Sequence, residues 1–358
     1  MKILAFHLPQ YYVFKENNEW WGENFTDWVN VKNCHSKYEG HNQPRVPYDD
    51  FYYDLTQVDT IKWQAELSKQ YGIYGFCYYH YWFNGKLLME KPCELLLKHP
   101  EIDQKYCFCW ANEPWTRSWD GKDKEVIMPQ QYGNEIEWEE HFQYLVKFFL
   151  DDRYIKINNM PILILYRTNS IKRCNDMIMF WNQRCQEEGL EGIYVIEEKN
   201  TFQQESVCSC SNAILEFEPM YTNCIQDNLL LKIHRKCVNF FGMLMKKEYR
   251  NYSYDLTWKA IIGRKHASEK KTYLGAFVDW DNSPRRNSGA TMILGNPSKF
   301  EKYFKKQIEH AKKEKSEFVF INAWNEWAEG AYLEPDKKYE FAYLHAIKRV
   351  MDESNTCS

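Results

Sequence analysis

The chain has 358 residues, of which 44% are hydrophobic and 27% charged, a composition that is ordinary for a globular protein and excludes a disordered or fibrous chain. Its formal net charge of -4 predicts neither nucleic acid nor an anionic membrane as a partner, because a mildly acidic surface attracts neither polyanion. Aromatic residues reach 17%, more than a core requires, which indicates that some of them face a ligand.

The sequence contains few signals for cellular location. The N-terminal run "MKILAFHLPQYYVF" is broken by His7 and Pro9 and lacks a small-residue cleavage site, so it does not predict a secretory signal. No apolar segment is long enough to predict a membrane span. The twelve cysteines, spread through a long chain, predict free thiols and a cytoplasmic location. Their spacing predicts no metal site, no cofactor is expected, and the oligomeric state is left open.

Eight short runs rich in β-branched and aromatic residues alternate with amphipathic stretches. The predicted strands begin, in chain order, at Lys2, Gly72, Lys105, Met160, Gly192, Asn212, Tyr273 and Glu317. The predicted helical stretches are 61–71, 87–99, 136–150, 171–189, 228–264, 297–315 and 339–351, with only a short helix expected after the fifth strand. Strands that are apolar throughout and followed by helices indicate a parallel sheet covered on both faces.

Eight such units predict an α/β fold, a single (β/α)8 TIM barrel covering 1–358, with long loop insertions after strands one and six. A doubly wound open sheet is the structural alternative. It normally carries a Gly-rich phosphate loop after an early strand, and this sequence has none.

The active sites of (β/α)8 barrels lie where the carboxyl ends of the strands open into loops. Polar, aromatic and acidic residues follow the predicted strands at that end. The residues expected to bind substrate there are His7, Gln10, Tyr11, Trp21, Tyr79, His80, Trp82, Trp110, Asn112, Glu113, Trp115, Arg117, Tyr166, Glu216, Asp279, Trp280, Trp324 and Asn325.

Two carboxylic acids, Glu326 and Glu329, follow the last strand in "FVFINAWNEWAEGAYLEP". Paired carboxyls beside aromatic rings are what glycosidic-bond cleavage needs, because one acid protonates the leaving oxygen and the other serves as base or nucleophile. Aromatic faces suit the apolar faces of sugar rings, while amide, imidazole and guanidinium groups hold hydroxyls. The predicted partner is therefore an oligo- or polysaccharide.

Five segments, "AFHLPQYY", "EWWGENFTDWVNV", "GFCYYHYWF", "CWANEPWTRSWDG" and "WNEWAEG", resemble in order the WbsX-type proteins of bacterial O-antigen and capsule gene clusters, which are related to glycoside hydrolase family 99. The resemblance covers nearly the whole chain. It implies a (β/α)8 fold and retaining, endo-acting cleavage of α-mannosidic linkages. Glu326 and Glu329 fall on the two catalytic positions of an Asn-Glu-Trp-x-Glu segment.

The same resemblance implies that Glu326 is the base, which helps the 2-hydroxyl of the sugar attack the anomeric carbon to give an anhydro-sugar intermediate. Glu329 is then the general acid, and its position between Trp327 and Tyr332 predicts that it is partly desolvated and protonated near neutral pH, whereas Glu326 is expected to stay ionised. The segment departs from the family 99 pattern at Ala328 and Ala331, which bears on the identity of the substrate.

Three alternatives stay open. Glu113, in an Asn-Glu-Pro segment, resembles the acid/base residue of retaining β-glycosidases, with Glu326 as nucleophile. Asp279 and Asp281 form an Asp-x-Asp pair typical of metal-dependent glycosyltransferases, and WbsX-type proteins are often described as transferases. A sugar-binding protein without catalysis is the third.

Several residues have a structural interpretation beside the functional one. His80 is as consistent with a hydrogen-bonded barrel histidine as with a ligand contact, because strand side chains alternate between faces. Trp20 packs the first loop if Trp21 stacks on sugar, or the reverse. Arg285 and Arg286 follow the seventh strand and are interpreted as surface residues, with contact to an anionic sugar as the alternative.

Overall fold

A computed structural model describes residues 1–117, 122–225, 228–266, 269–286 and 288–356. Its centre is a closed barrel of parallel strands in which each strand pairs with the next along the chain and the last pairs with the first. The barrel strands are β1 (Lys2–His7), β2 (Gly75–Phe83), β3 (Lys105–Trp110), β4 (Met160–Leu165), β5 (Tyr194–Lys199), β6 (Ala213–Glu216), β7 (Lys271–Phe277) and β8 (Phe318–Asn322). The predicted (β/α)8 fold and its eight strands are confirmed.

Helices surround this barrel. They are α1 (Lys15–Trp21), α2 (Asp27–Asn33), α3 (Val58–Gln70), α4 (Lys91–Lys98), α5 (Glu135–Phe149), α6 (Cys174–Glu187), α7 (Met220–Ile225), α8 (Leu229–Leu244), α9 (Tyr254–Gly263), α10 (Pro297–Lys313) and α11 (Ala342–Thr356). Within the described ranges, none of them is long and apolar enough to cross a membrane.

The helices differ from the sequence expectation in three places. The connection 200–212, described throughout, contains no helix, so the short helix expected after β5 is wrong. The long stretch 228–264 forms two helices, α8 and α9, instead of one. The first loop contains α1 and α2, which are too short to give a periodic apolar signal.

Short strands and single-turn 3-10 helices extend the loops. The strands are Lys86–Leu88, Trp115–Arg117, Lys122–Met128, Lys156–Ile157, Tyr249–Asn251, Trp280–Asp281, Ala290–Ile293, Asn325–Glu326 and Ala331–Tyr332. The 3-10 helices are Tyr48–Asp50, Thr168–Ser170, Ser283–Arg285 and Trp327–Glu329. Long insertions after β1 and β6 are present as predicted, and the hairpin after β3 adds another.

The core has two layers, one inside the barrel and one between barrel and helices. Helix α10 illustrates the outer layer. Asn296 caps it by accepting a hydrogen bond from the Lys299 amide at 2.9 Å, and a proline occupies its first turn. Phe300, Phe304 and Ile308 recur at helical spacing and are fully buried, as their spacing predicts.

Gly275 marks a close approach between β6 and β7. A Cβ atom there would lie 1.9 Å from the backbone oxygen of Glu216, so any side chain requires the strands to move apart. We predict that Gly275→Ala lowers the free energy of unfolding by about 1–3 kcal/mol or more, the usual cost of overpacking, measured by chemical denaturation. Gly263→Ala is the matched control, because no atom lies within 4 Å of its Cβ position. Equal stability of the two variants would contradict this packing.

Candidate active site

A tight hairpin after β8 presents the two candidate acids. Asn325–Glu326 pairs antiparallel with Ala331–Tyr332, and the turn between them is closed by Gly330 at a φ of +63°, where a Cβ would crowd Arg45. The Tyr11 hydroxyl donates to the Asn325 carbonyl at 2.7 Å and accepts from the Trp327 amide at 3.2 Å. The backbone that carries Glu326 and Glu329 is therefore fixed from the β1 loop.

Aromatic stacking and hydrogen bonds hold the turn on its buried side. Trp327 stacks on Tyr332 with ring centroids 3.8 Å apart and donates its indole N–H to Glu334 at 2.7 Å. Ala328 and Ala331, where the sequence departs from the family 99 pattern, are fully buried and do not reach solvent. The hairpin is thus an extension of the core, and the two glutamates leave it on the side of the barrel mouth.

A single guanidinium joins the acids of three loops. Arg285, which follows β7, donates to Glu329 at 2.6 Å and to Glu326 at 3.2 Å. It also donates to Asp27, at the start of α2 in the β1 insertion, at 2.7 Å. Asp27 is completely buried and accepts a second hydrogen bond from Asn30 at 3.0 Å. One positive charge therefore compensates three carboxyl groups.

Burial differs between the two glutamates. Burial, opposed by Arg285 and assisted by the nearby charges of Glu329 and Asp27, raises the pKa of Glu326 to about 8. Burial also raises the pKa of Glu329, with Arg285 again opposing. The Glu326 side chain is 8% exposed and that of Glu329 25%. The expected partial desolvation of Glu329 is present, but Glu326, which was expected to stay ionised, is the more buried acid. Trp327 and Tyr332 pack against each other beneath Glu329 and leave it at the mouth.

Both acids open into one cavity of about 440 Å³ at the carboxyl ends of the barrel strands, within the usual size range of ligand pockets. Aromatic, charged and polar side chains share its walls. The lining residues are Leu8, Gln10, Trp21, Tyr81, Glu113, Pro114, Trp115, Thr116, Ile127, Arg167, Phe202, Arg285, Glu326 and Glu329.

A second ion pair lies across the mouth from the acid pair. Glu113 follows β3 and Arg167 follows β4, strands that lie on the far side of the closed barrel from β8, and their charged groups are 3.4 Å apart. Burial raises the pKa of the Glu113 carboxyl, while Arg167 lowers it. The Arg167 guanidinium also lies over the Phe202 ring at 4.5 Å. The cavity thus has charged groups at both ends and rings between them.

Of the residues expected at this site, six line the cavity. They are Gln10, Trp21, Glu113, Trp115, Glu326 and Glu329. Tyr79 and Tyr166 are half-buried at the neighbouring strand ends, the first beside Tyr81 and the second beside Phe202. The side chain of Arg117 lies outside the described residues.

Five of the expected residues point away from the cavity, into the layer between barrel and helices. His7 is hydrogen bonded to Gln64 of α3 at 3.0 Å, and His80 to His141 of α5 at 2.8 Å. Trp82, Trp110 and Trp324 are also buried there, the first two against His141 and the third against Phe76. Burial lowers the pKa of both His7 and His80 to about 3, so both imidazoles are neutral.

Three expected residues brace the loops. Tyr11 holds the β8 hairpin, as described above. Asn325 clamps the backbone of Leu8, accepting from its amide at 2.7 Å and donating to its carbonyl at 3.0 Å. Asn112 does the same for Arg167, at 2.8 and 2.9 Å. The side-chain amides of Asn325 and Asn112 therefore position loops, because they form these hydrogen bonds with the loop backbone.

The last three of the expected residues lie away from the cavity. Glu216 is on the outside of the barrel, paired with Arg264 at 2.5 Å and with His266 at 3.2 Å. Asp279 accepts from Arg45 at 2.8 Å and from the Gly295 amide at 2.8 Å. Trp280 is buried in the short strand that pairs with Ala290–Ile293 and is not part of the cavity wall.

The site also contains residues that the sequence interpretation missed. Arg285, interpreted as a surface residue, is at its centre, and its position in the loop that follows a barrel strand was the available signal. Tyr81 lines the cavity and shares its strand face with Tyr79, two residues earlier. Asp27 lies far from any predicted strand end, within the segment "EWWGENFTDWVNV". Glu198 is not part of the cavity wall but is fully buried at the end of β5, where burial raises the pKa of its carboxyl to about 8.

Solved structures share this architecture. A family 99 endo-α-mannosidase from Bacteroides thetaiotaomicron aligns with 99% of this chain and 97% of its own, with a TM-score of 0.56 at 14% identity. A structure described as a glycoside hydrolase-like protein aligns with 98% of this chain and 93% of its own, with a TM-score of 0.61 at 13% identity. The protein is thus a (β/α)8 barrel with a glycoside hydrolase-like fold.

The sequence match is more specific. Residues 3–347 match the model of the family described as glycosyltransferase WbsX, and the chain belongs to this family. Uncharacterized protein WxcX from Xanthomonas campestris pv. campestris is 30% identical over 355 residues, which are 98% of this chain. The chain spans about half the length of the curated relatives that it matches, 49% in each case.

The shared guanidinium leads to a pH-dependent stability. Arg285→Gln leaves three carboxyls without their cation and removes the charge that lowers the pKa values of Glu326 and Glu329, so both values rise further in the folded state. We predict little loss of unfolding free energy near about pH 5, where the carboxyls can take up protons, and a loss of about 3–5 kcal/mol near about pH 8, where they must ionise or hold protons against solvent.

Chemical denaturation of the wild type and the variant at both pH values measures this difference. Arg286→Gln, at the exposed neighbouring position, is the control. Arg286 lowers the pKa of Glu329 less than Arg285 does, so this variant should lose much less stability and show a much weaker pH dependence. A loss for Arg285→Gln that does not change with pH would show that the guanidinium acts by packing and not by charge.

Proposed function

We propose that this chain is a retaining, endo-acting glycoside hydrolase that cleaves a bacterial polysaccharide of the O-antigen or capsule type with Glu326 and Glu329. The observation that carries the proposal is the pair of carboxyls on one cavity, bound to the two terminal nitrogens of the same guanidinium. Such bridging keeps the carboxyls close, and a short separation, about 5–5.5 Å, is typical of retaining glycosidases.

The walls of the cavity support a sugar as the ligand. Trp21, Tyr81, Trp115 and Phe202 offer ring faces, while Gln10 and Arg167 bring hydrogen-bonding groups to the same wall. Pockets that combine apolar rings with a few polar groups bind ligands by stacking and orient them by hydrogen bonds. An α-mannosidic linkage, as in the family 99 relative, is the proposed type of bond.

The proposed chemistry follows the relationship to family 99. Glu326 takes the proton of the 2-hydroxyl as that oxygen attacks the anomeric carbon, and Glu329 gives its proton to the leaving oxygen. Water then opens the anhydro-sugar: Glu329 takes a proton from the water as it attacks the anomeric carbon, and Glu326 returns its proton to the 2-oxygen. Two inversions at one carbon give net retention.

This sequence of steps requires one proton on the pair at working pH. Burial raises the pKa of both acids, to about 8 for Glu326, which favours retention of that proton at neutral pH, while Arg285 opposes the rise on both. The proposed mechanism requires that Glu329 hold this proton when substrate is bound. Because two coupled acids titrate as a pair, the mechanism depends on the total number of protons that the pair holds more than on which acid holds the proton at rest.

A glycosyltransferase is the second candidate, and the description of the family favours it. Its metal-binding motif would be Asp279 and Asp281. Asp281 accepts from His41 at 2.8 Å and from Gln43 at 2.7 Å, and Asp279 is paired with Arg45. Both carboxylates already have protein donors, one of them cationic, and neither belongs to the cavity wall. This arrangement weighs against a metal-dependent transferase.

The β-glycosidase-like alternative depends on the position of Glu113. That mechanism resembles enzymes whose acid/base residue follows the fourth strand, whereas Glu113 follows β3. Glu113 also lies across the mouth from Glu326, on Arg167. In our proposal Glu113 binds sugar hydroxyls at the far end of the cavity.

Hydrolysis can be tested directly. Because the two acids supply the proton transfers, the purified chain should shorten an α-linked capsule or O-antigen polysaccharide in the presence of EDTA and without any nucleotide sugar. Gel-filtration profiles of the polysaccharide before and after incubation measure this, with the Glu326→Gln/Glu329→Gln double variant as control. Product that forms only with a nucleotide sugar and a divalent cation would establish the transferase instead.

Leaving-group dependence tests the roles of the acids. Loss of general acid-base assistance lowers rates by about a hundred- to ten-thousand-fold. Glu329→Gln should lose activity on polysaccharide to that extent but keep most of its rate on an aryl glycoside, whose leaving group needs no proton. Glu326→Gln should be slow on both substrates, because the 2-hydroxyl must be activated whatever leaves.

Steady-state kcat/KM values for the two substrates measure the difference. The reverse pattern would exchange the two roles, and it would agree with the resting proton on Glu326. If only Glu113→Gln showed the leaving-group effect, the β-glycosidase-like mechanism would replace the proposed one.

A further inference from the structure

Helix α8 has the reverse of the usual orientation of an amphipathic helix. A helix on a globular protein normally turns its apolar face toward the core. In α8 most apolar side chains face solvent, with Leu231 as the buried exception: Leu229 is 69% exposed, Ile233 50%, Phe240 57% and Leu244 67%. At 100° per residue these four share one face of the helix.

The opposite face attaches α8 to the protein by the buried Leu231 and by several polar groups. Arg235 donates to the Asn223 carbonyl at 2.7 Å, and Asn239 accepts from the Tyr252 hydroxyl at 2.8 Å. The His234 ring accepts from the Ser253 amide at 3.0 Å. The outward position of the apolar face is therefore fixed by specific contacts on the other side.

The charge of this segment is opposite to that of the whole chain. Residues 229–247 contain Lys232, Arg235, Lys236, Lys246 and Lys247 and no aspartate or glutamate, in a chain whose net charge is -4. Of these, Lys232, Lys236, Lys246 and Lys247 are exposed. The apolar face continues past the helix at Met245, which is 62% exposed and directly precedes two of the lysines.

The position of α8 relates it to the cavity. The insertion that contains it leaves the carboxyl end of β6 and returns through the strand Tyr249–Asn251. That strand pairs with Ala290–Ile293, which pairs with Trp280–Asp281 at the carboxyl end of β7. Helix α8 is thus attached to the same end of the barrel as the candidate active site.

We infer that α8 is a membrane-surface helix, which inserts its apolar face into the headgroup region of an anionic lipid bilayer and places its lysines against lipid phosphates. Phe, Leu and Ile on one face and Lys beside them are the composition of helices that lie in the membrane interface. Exposed basic residues add attraction to an anionic leaflet. The net charge predicted no such partner because it averages over the whole surface.

The proposal is independent of the reaction that the cavity performs. It commits to a lipid surface because the lysines next to the apolar face match anionic headgroups in charge. A second copy of the chain would bring the same positive charges together.

Vesicle sedimentation tests it with the chain as it is. We expect the protein to sediment with phosphatidylglycerol/phosphatidylcholine vesicles, to sediment much less with phosphatidylcholine alone, and to be released by high salt. Ile233→Glu/Phe240→Glu should lower vesicle affinity at least tenfold. Lys232→Gln/Lys236→Gln should lower it roughly fivefold for each lysine removed, from about 1 kcal/mol each.

Ile136→Glu is the matched control, because Ile136 is 71% exposed on α5, and it should bind vesicles like the wild type. Circular dichroism of each variant reports whether the fold is retained. Absence of binding to anionic vesicles would overturn the proposal. A dimer in analytical ultracentrifugation that Ile233→Glu/Phe240→Glu dissociates, without vesicle binding, would instead assign the face to a second copy of the chain.

Discussion

The Arg285 guanidinium is the constraint on which the barrel mouth depends. Three loops, after β1, β7 and β8, bring Asp27, Glu326 and Glu329 to its nitrogens. Three ionised carboxylates around one cation would leave excess negative charge in a buried place, which is costly. Retaining a proton on Glu326 relieves part of that cost, so the ion-pair cluster that holds the loops together also favours the protonation state that the proposed glycosidic cleavage needs.

The fold was largely predictable because parallel barrel strands are buried on both faces and appear as continuous apolar runs. The same property made the residues of the candidate site harder to predict. When both faces of a strand are apolar, the sequence does not show which residues point into the barrel, and a shift of one residue exchanges the faces. His80 and Trp82 were expected in the cavity, but they belong to the outward set of β2, whereas Tyr81 belongs to the inward set.

Long-range contacts could not be predicted from the sequence, for a different reason. Arg285 and Asp27 lie 258 residues apart, and neither is in a periodic element that would fix its direction. Short helices such as α2 depend on tertiary contacts and not on their own propensity. The end of a strand therefore locates a residue near the mouth, but only the packed loops decide whether it faces the cavity, braces the backbone as Asn112 and Asn325 do, or turns outward.

Whole-chain averages mislead in this protein. The aromatic excess was expected to reflect a ligand, yet much of it fills the layer between barrel and helices, where Trp82, Trp110 and Trp181 surround His141. The net charge of the chain conceals local differences in the same way. A slightly negative net charge is the sum of an anionic cluster at the barrel mouth and a basic, apolar helix at the same end of the barrel. Because electrostatic attraction is screened within about 10 Å in salt, a partner responds to the nearest patch and not to the total.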